Sequence, residues 1–436
     1  MEQINKATDE ALTTTDGNRR GQLIDELIRT AVLAAEEGIR AACRGAINRI
    51  AAAKGVYHAS IQGLYEAMAR GDVRGLTVPA INIRGLTYEV ARAIFRAAAH
   101  LEAGPVIFEI ARTEIGYTFQ SPAEYATCVT AAAVREQYQG PLFIQGDHFQ
   151  INRKNYFASP GAELSAVKKL ITEAIEAGFY NIDIDTSTLV DLDKETLAEQ
   201  QRLNYELVAE FTGFIRALEP AGITISVGGE IGEIGGKNSD VHELEAFVTG
   251  LQACLPKDIK SISKISVQSG ATHGGVVLPD GTVADVTIDF ETLRELSAHA
   301  RRFGMAGAVQ HGASTLPEEA FHHFPATGTA EIHLATQFQN IIMDHPLFPA
   351  ELREKIYSYL RSEFAGEKKP GQTDQQFIYS LRKKGWGPFK NEFDAIPEEA
   401  LSRIMEDLEK TFRFLFRKLE VLNTRNLIRK YVPRVS

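Results

Sequence analysis

Eight short apolar runs, each followed by a helical pattern, constrain this 436-residue chain more than any other feature. They lie at 76–83, 105–110, 141–148, 181–186, 223–230, 264–270, 307–311 and 329–336. Between them stand segments with apolar residues at three- and four-residue spacing, such as 88–102 and 164–177. A strand that is apolar at nearly every position is covered on both faces, the condition of a parallel sheet wrapped by helices. Eight such units over about 260 residues predict a closed (β/α)8 TIM barrel of the α/β class rather than an open doubly wound sheet. No Gly-x-Gly-x-x-Gly follows the first run, which argues against the dinucleotide-binding form of the open sheet.

The flanks read differently. Residues 1–20 are polar and threonine-rich, and a frayed end is expected there. From Gly21 to Lys54, Leu23, Ile24, Leu27, Ile28, Val32 and Leu33 recur at helical spacing, and Gly55 closes the pattern. After residue 346 the strand pattern stops. Helices are predicted over 347–363 and 397–424, separated by a mobile loop rich in Gly, Lys, Pro and Gln at 366–377. In the last helix Leu401, Met405, Leu408, Phe412, Leu415, Leu419 and Leu422 form a stripe suited to packing on the barrel. The expected organisation is a helical extension over 1–56, a barrel over 57–345 and a second helical extension over 346–436.

Composition narrows the partners. Lys and Arg total 47 against 57 Asp and Glu, a formal charge of −10, which disfavours nucleic acid as a bulk partner. The three cysteines, Cys43, Cys128 and Cys254, are widely spaced and form no Cys-x-x-Cys, so a reducing compartment is expected. No apolar stretch approaches the length of a membrane span, and the first residues lack the pattern of a secretion signal. A cytoplasmic protein with no membrane partner is the expectation.

In a barrel of this kind the site forms where the strands end, and polar residues gather there. The third run ends in Asp147-His148, the fifth in Glu230, the sixth leads to His273, the seventh ends in His311, and the eighth carries His333 and Thr336. Three histidines at strand ends, one beside an aspartate, suit a divalent metal with a coordination position left for substrate. Gly274 follows His273, while Gly312 and Ser314 follow His311; small residues there let backbone N–H groups approach an anion. The stretch 228–236 holds five glycines with Glu230 and Glu233, and reads as a loop that closes over substrate. Asp183 and Asp185 alternate and so share one face of their strand. His322-His323 reads as surface, because adjacent helical residues point apart.

In these residues the chain resembles the class II, metal-dependent fructose- and tagatose-bisphosphate aldolases. The matching pieces, in family order, are Val78-Pro-Ala-Ile-Asn82, Pro105-Val-Ile, Gly146-Asp147-His148, Ala177-Gly-Phe, Ile184-Asp185-Thr-Ser187, Glu230-Ile-Gly-Glu-Ile-Gly-Gly, His273-Gly and His311-Gly-Ala-Ser314. The longer tagatose-associated branch resembles the ends of the chain more loosely. The resemblance implies zinc, or another divalent metal, held by His148, His273 and His311 with Glu230 nearby. It implies that Asp147 shuttles a proton at the C4 hydroxyl, and that Gly274, Gly312, Ser314 and Thr336 surround a phosphate. Asn82, Asp185, Ser187 and His333 fall at positions facing the substrate. The implied reaction is cleavage of the C3–C4 bond of a phosphorylated ketose to dihydroxyacetone phosphate and an aldehyde through a metal-stabilised enediolate, in a homo-oligomer.

The chain departs from the family pattern in identifiable places. Ala111 stands where a serine is usual. After the loop glycines comes Lys237-Asn238-Ser-Asp240, so Glu233 or Asp240 must supply the second proton-transfer group. The family's Asn-x-Asp-Thr reads His333-Leu-Ala335-Thr336. Arg112 and Lys237 are extra cations available to a different anion. Two alternatives stand beside the aldolase: a non-catalytic barrel subunit that stabilises a partner aldolase, and a metal-dependent sugar-phosphate isomerase or epimerase.

Overall fold

The computed structural model describes residues 1–232, 237–270 and 288–434. Nine parallel strands occupy its centre: β1 (Val56–His58), β2 (Val78–Asn82), β3 (Ile107–Ala111), β4 (Gly140–Gln150), β5 (Asn181–Asp185), β6 (Ser226–Glu230), β7 (Lys264–Val267), β8 (Ala308–Gln310) and β9 (Glu331–Leu334). Strands β2 to β9 pair in chain order, and β9 returns to β2 with His333 opposite Ala80, so the sheet closes. This is the predicted (β/α)8 barrel, its strands matching the eight apolar runs. Short β1 lies outside the ring and, among the described residues, pairs only with the start of β4, Val56 opposite Gly140. With three residues and no apolar run, it left no periodic signal.

The barrel interior is not the usual stack of branched aliphatic side chains. Residues two apart on a strand share a face, so each inward position repeats one level higher. On the lower level lie Glu109, Gln145, Asp183, Lys264 and Glu331, all buried. Lys264 Nζ contacts the Glu331 carboxylate, Asp183 Oδ2 at 2.9 Å and Gln145 Oε1 at 2.8 Å. Gln145 Nε2 donates to Glu109 Oε2 and to Glu331 Oε1, each at 2.8 Å, and Tyr65 closes the network with its hydroxyl on Glu331. Lysine and glutamate are almost never buried this fully unless paired, because desolvating one lone charge costs several kcal/mol. Burial alone would raise the Glu331 carboxyl, but Lys264 and His333 hold it well below the ordinary range. Burial pushes Glu109 well above that range, with Asp147 and Glu331 adding to the shift.

Added helices cover the outside. Gly17–Leu33 and Glu37–Ala53 pack on barrel helix Pro122–Arg135. The expectation of a frayed first segment is corrected: Glu2–Thr13 is a helix whose Ile4, Ala7, Thr8 and Ala11 face the other two. Arg19 ties it down through Glu10 at 2.6 Å, and the apolar stripe escaped notice because its residues are mostly small. Near the C-terminus, helix Glu398–Lys418 buries Ile404, Met405, Leu408, Phe412, Leu415 and Phe416 along barrel helix Thr87–Leu101. Among the described residues no helix is long and apolar enough to cross a membrane.

Between the two extensions and the start of helix Thr87–Leu101 lies a cavity of about 470 Å3 lined in part by Asp25, Glu89 and Asp394. Burial first, then the neighbouring Asp394 and Asp25, push the Glu89 carboxyl up to about 7.

Two outcomes follow for stability. Lys264→Met leaves Glu331 and Asp183 buried without their cation, and should lower the unfolding free energy by about 3–5 kcal/mol in urea denaturation. Because the folded state holds the Glu89 proton up to about pH 7 while the unfolded chain releases it near 4.5, wild-type stability is lost as pH rises through that window. Glu89→Gln should therefore gain about 1–3 kcal/mol over wild type at pH 8 and little at pH 4.5, read from urea midpoints at both pH values.

Candidate active site

The site begins with an irregularity in β4. Against β5, Gly146 faces Ile182 but Phe149 already faces Ile184, so Asp147 and His148 are accommodated in a bulge. The strand therefore does not stop at His148, as the sequence suggests, but runs on to Gln150. A regular strand sends neighbouring side chains to opposite faces; the bulge re-aims them so that both reach the mouth. His148 takes φ +42, a left-handed conformation uncommon outside glycine. Gly146 is required here, because a Cβ would stand 2.4 Å from the Phe149 ring.

Around the bulge the polar ends of the strands converge. His148 Nδ1 lies 3.1 Å from Asp185 Oδ2 and 3.2 Å from Glu230 Oε2. Its Nε2 is 3.7 Å from Asp147 Oδ1, and His311 Nε2 is 3.6 Å from the same oxygen. The His148 and His311 rings lie 4.1 Å apart, and those of His311 and His333 4.2 Å. Asp147 is buried and held on both oxygens: Asn82 Nδ2 donates to Oδ2 at 2.8 Å, and His333 Nδ1 stands 3.1 Å from Oδ1. Below, His333 Nε2 is 2.6 Å from Glu331 Oε1, so His333 joins the mouth to the ionised layer.

Charge follows geometry. Burial opposes a charged His333, yet Glu109 and Asp147 outweigh it and hold its pKa well above the ordinary value. His148 is raised likewise by Asp147 and Glu230 against its burial. Asp147, which burial alone would raise, is held well below the usual carboxylate range by His148 and His333. Asp185 is held at about 2, its burial outweighed by hydrogen bonds from His148, Ser187 and Gln150.

Donor atoms of His148, His311 and Glu230 fall within 4.8 Å of one another, as do those of Asp147, His311 and His333. Two imidazoles and a carboxylate form the nitrogen–oxygen donor set that zinc and similar divalent ions take. Asp185 on Nδ1 of His148 is the carboxylate partner that orients such a ligand. The residues present fit a divalent metal.

Other expected residues are placed as follows. Gly312, Ser314 and Thr336 line the cavity, with the Thr336 N–H donating to Ser314 Oγ at 3.2 Å. Ser187 donates to Asp185 Oδ1 at 2.6 Å. Asp240 does not line the cavity: its carboxylate caps helix Val241–Cys254, accepting from His242 N and Glu243 N. Arg112 is also elsewhere, with Nη1 on Gln150 O and in an ion pair with Glu163. Lys237 pairs with Glu243 at 2.8 Å. His322 and His323 are exposed. Glu233, His273 and Gly274 lie outside the described residues.

Sequence reasoning missed Glu109, Gln145, Lys264 and Glu331, although each sits as one polar residue inside an apolar run, which was the available signal. It read 366–377 as a mobile loop, whereas this segment turns into a helix and lines the cavity. Helix Asp374–Leu381 starts there, capped by Thr373 and Gln376, a Thr-x-x-Gln box readable from the sequence. Lys369, Gln372, Gln376, Tyr379 and Lys383 form one wall of the cavity, which encloses about 800 Å3.

Among solved structures, fructuronate–tagaturonate epimerase UxaE from Cohnella laeviribosi superposes with a TM-score of 0.60 at 13% identity, covering 91% of this chain and 90% of that one. Fructose-bisphosphate aldolase from Campylobacter jejuni gives 0.50 at 17% identity, over 85% and 96%. At these identities the likeness is one of fold. No curated protein matches the chain in sequence. The family model for class II fructose-bisphosphate aldolase matches residues 62–401, from the barrel through the C-terminal wall, and the chain belongs to that family.

Proposed function

We propose that this chain is a divalent-metal-dependent aldolase that cleaves and forms the C3–C4 bond of a phosphorylated ketose, giving dihydroxyacetone phosphate and an aldehyde. The observation that carries the reading is the convergence of His148, His311 and Glu230 beside Asp147, a carboxylate fixed at both oxygens.

His148, His311 and Glu230, with His273 from outside the described residues, would hold the metal, and zinc suits the donors best. A divalent cation in that place supplies Lewis-acid stabilisation for the enediolate left when the C3–C4 bond breaks. Asp147 takes the C4 hydroxyl proton as the bond breaks and returns it in the reverse direction. Asn82 and His333 keep that carboxylate from rotating, so its reacting oxygen is placed before substrate arrives. With Asp240 engaged as a helix cap, proton transfer on the dihydroxyacetone side falls to Glu233. Gly312, Ser314 and Thr336 receive the phosphate.

A second reading is an epimerase that breaks the same bond, turns the aldehyde and re-forms it. The wall contributed by 369–383 favours it, because an aldehyde held in a walled cavity recombines before it leaves. The epimerase named on UxaE is consistent with this second reading.

Elemental analysis of the purified full chain should find about one divalent ion per chain, and His148→Ala or His311→Ala should remove most of it. Fructose and tagatose 1,6-bisphosphates and the 1-phosphates should then be offered with a coupled assay for dihydroxyacetone phosphate. Chelation should abolish cleavage, and Asp147→Ala should retain the metal while kcat falls by about 100-fold or more. A metal-loaded protein that interconverts ketose epimers and releases no triose would replace the aldolase with the epimerase. Wild-type metal content in both histidine variants would sink the ligand assignment.

A further inference from the structure

We propose that Arg84 and Lys383 form an oxyanion subsite at the barrel mouth, taking the phosphate or carboxylate group at one end of the substrate. The inference deepens the reading of the cavity as a ketose site and rests on it. The charge that selects the substrate then comes partly from a segment outside the barrel.

The wall carrying Lys383 is fixed in place. Arg382, the preceding residue, is buried; its guanidinium donates to Asp344 at 2.5 and 2.9 Å and to Asn340 Oδ1 at 2.6 Å. Asn340 Nδ2 donates to the Tyr379 hydroxyl at 3.0 Å, and Trp386 Nε1 to Gln339 Oε1 at 3.2 Å. All three anchors land on helix Thr336–Met343 and its C-cap, Asp344, the element that follows β9 directly. Trp386 also lies against Gly85, where a Cβ would stand 2.0 Å from the indole, so the loop after β2 and the wall are in direct contact. Arg84 stands in that loop.

The charges on this side of the cavity do not cancel. Arg84 Nε donates to Glu114 Oε1 at 2.7 Å, and Nη1 reaches the Thr336 hydroxyl at 3.4 Å. The other Glu114 oxygen accepts from Asn82 Nδ2 at 3.0 Å and from Ala111 N at 2.9 Å. One carboxylate therefore serves Arg84 and two further donors. Lys383 is partly buried and has no hydrogen-bond or ion-pair partner among the described residues; its ammonium lies 5.8 Å from the centre of the Tyr117 ring. Burial, then the charge on Arg84, hold its pKa below the usual lysine range. Arg84, Lys369 and Lys383 line the cavity against two carboxylates, Glu114 and Asp147, and the surplus of cations is relieved by a bound anion.

The neighbouring donors agree. Thr336–Met343 opens beside the Arg84 guanidinium on Ala335, which supplies no side-chain acceptor, and the positive end of that helix adds to the field there. Ser314 Oγ accepts from Thr336 N, which leaves its hydroxyl hydrogen to donate elsewhere. A guanidinium, an ammonium and a hydroxyl suit a tetrahedral phosphate or a planar carboxylate.

The test is binding, measured calorimetrically on the metal-loaded full chain with inorganic phosphate, glycerol 3-phosphate and glycerate as probes. Lys383→Met should weaken phosphate binding by about tenfold or more, while Lys383→Arg stays within about threefold of wild type; metal content should not change in either. Tighter binding of glycerol 3-phosphate than of glycerate marks a phosphate subsite, and the reverse order a carboxylate subsite. Wild-type phosphate affinity in Lys383→Met, or no binding of any probe by wild type at millimolar concentration, overturns the proposal. The two readings fail separately. Ketose cleavage with undiminished phosphate binding in Lys383→Met removes the subsite alone, whereas lost binding in a protein that cleaves no ketose phosphate removes the aldolase alone.

Discussion

The pairing of Lys264 with Glu331 and Asp183 inside the barrel is the interaction on which the rest of the site is built. Burying any one of these charges alone would be prohibitive, so they can exist there only as a set with Gln145, Glu109 and Tyr65. The set also fixes what stands above it. His333 spans the two levels, with Glu331 on one nitrogen and Asp147 on the other. The orientation of the proposed catalytic carboxylate is thus inherited from the packing of an ionised floor. An aliphatic barrel core would leave His333 nothing to lean on.

A second chain of contacts reaches Asp147 from the side. Arg84 holds Glu114, Glu114 accepts from Asn82, and Asn82 donates to Asp147. This chain ends at the wall supplied by the C-terminal segment, since Gly85, next to Arg84, lies against Trp386. The wall and Asp147, the proposed places of substrate recognition and proton transfer, are therefore linked by four side chains in contact. The link is geometric: displacing any member moves the next.

The barrel was legible because burial on both faces leaves a run of apolar residues that no helix of that length shows, and the eight runs match β2 to β9. Short β1 and the first helix were not legible, the former too brief for a period and the latter because Ala7, Thr8 and Ala11 carry its buried face. Strand ends pointed to Asp147, His148, Glu230, His311 and His333, and the structure brings these to one mouth. Cations were the weak point. Arg112 and Lys237 are conspicuous in sequence yet pair with Glu163 and Glu243, while Arg84 and Lys383 face the cavity. Nothing local to a lysine tells which carboxylate will neutralise it.

By itself the sequence determined the closed parallel sheet and the polar residue types gathered at its mouth, because strand periodicity and strand ends are local properties. Only the tertiary structure decided how those residues are arranged. The bulge that turns Asp147 and His148 to one side depends on the register between β4 and β5. The ionised floor depends on five strands arriving at one level. The wall depends on a segment some fifty residues beyond β9 folding back onto the helix that follows it. Each is a relation between positions distant in the chain, and such relations are set by closure of the barrel rather than by any stretch of residues.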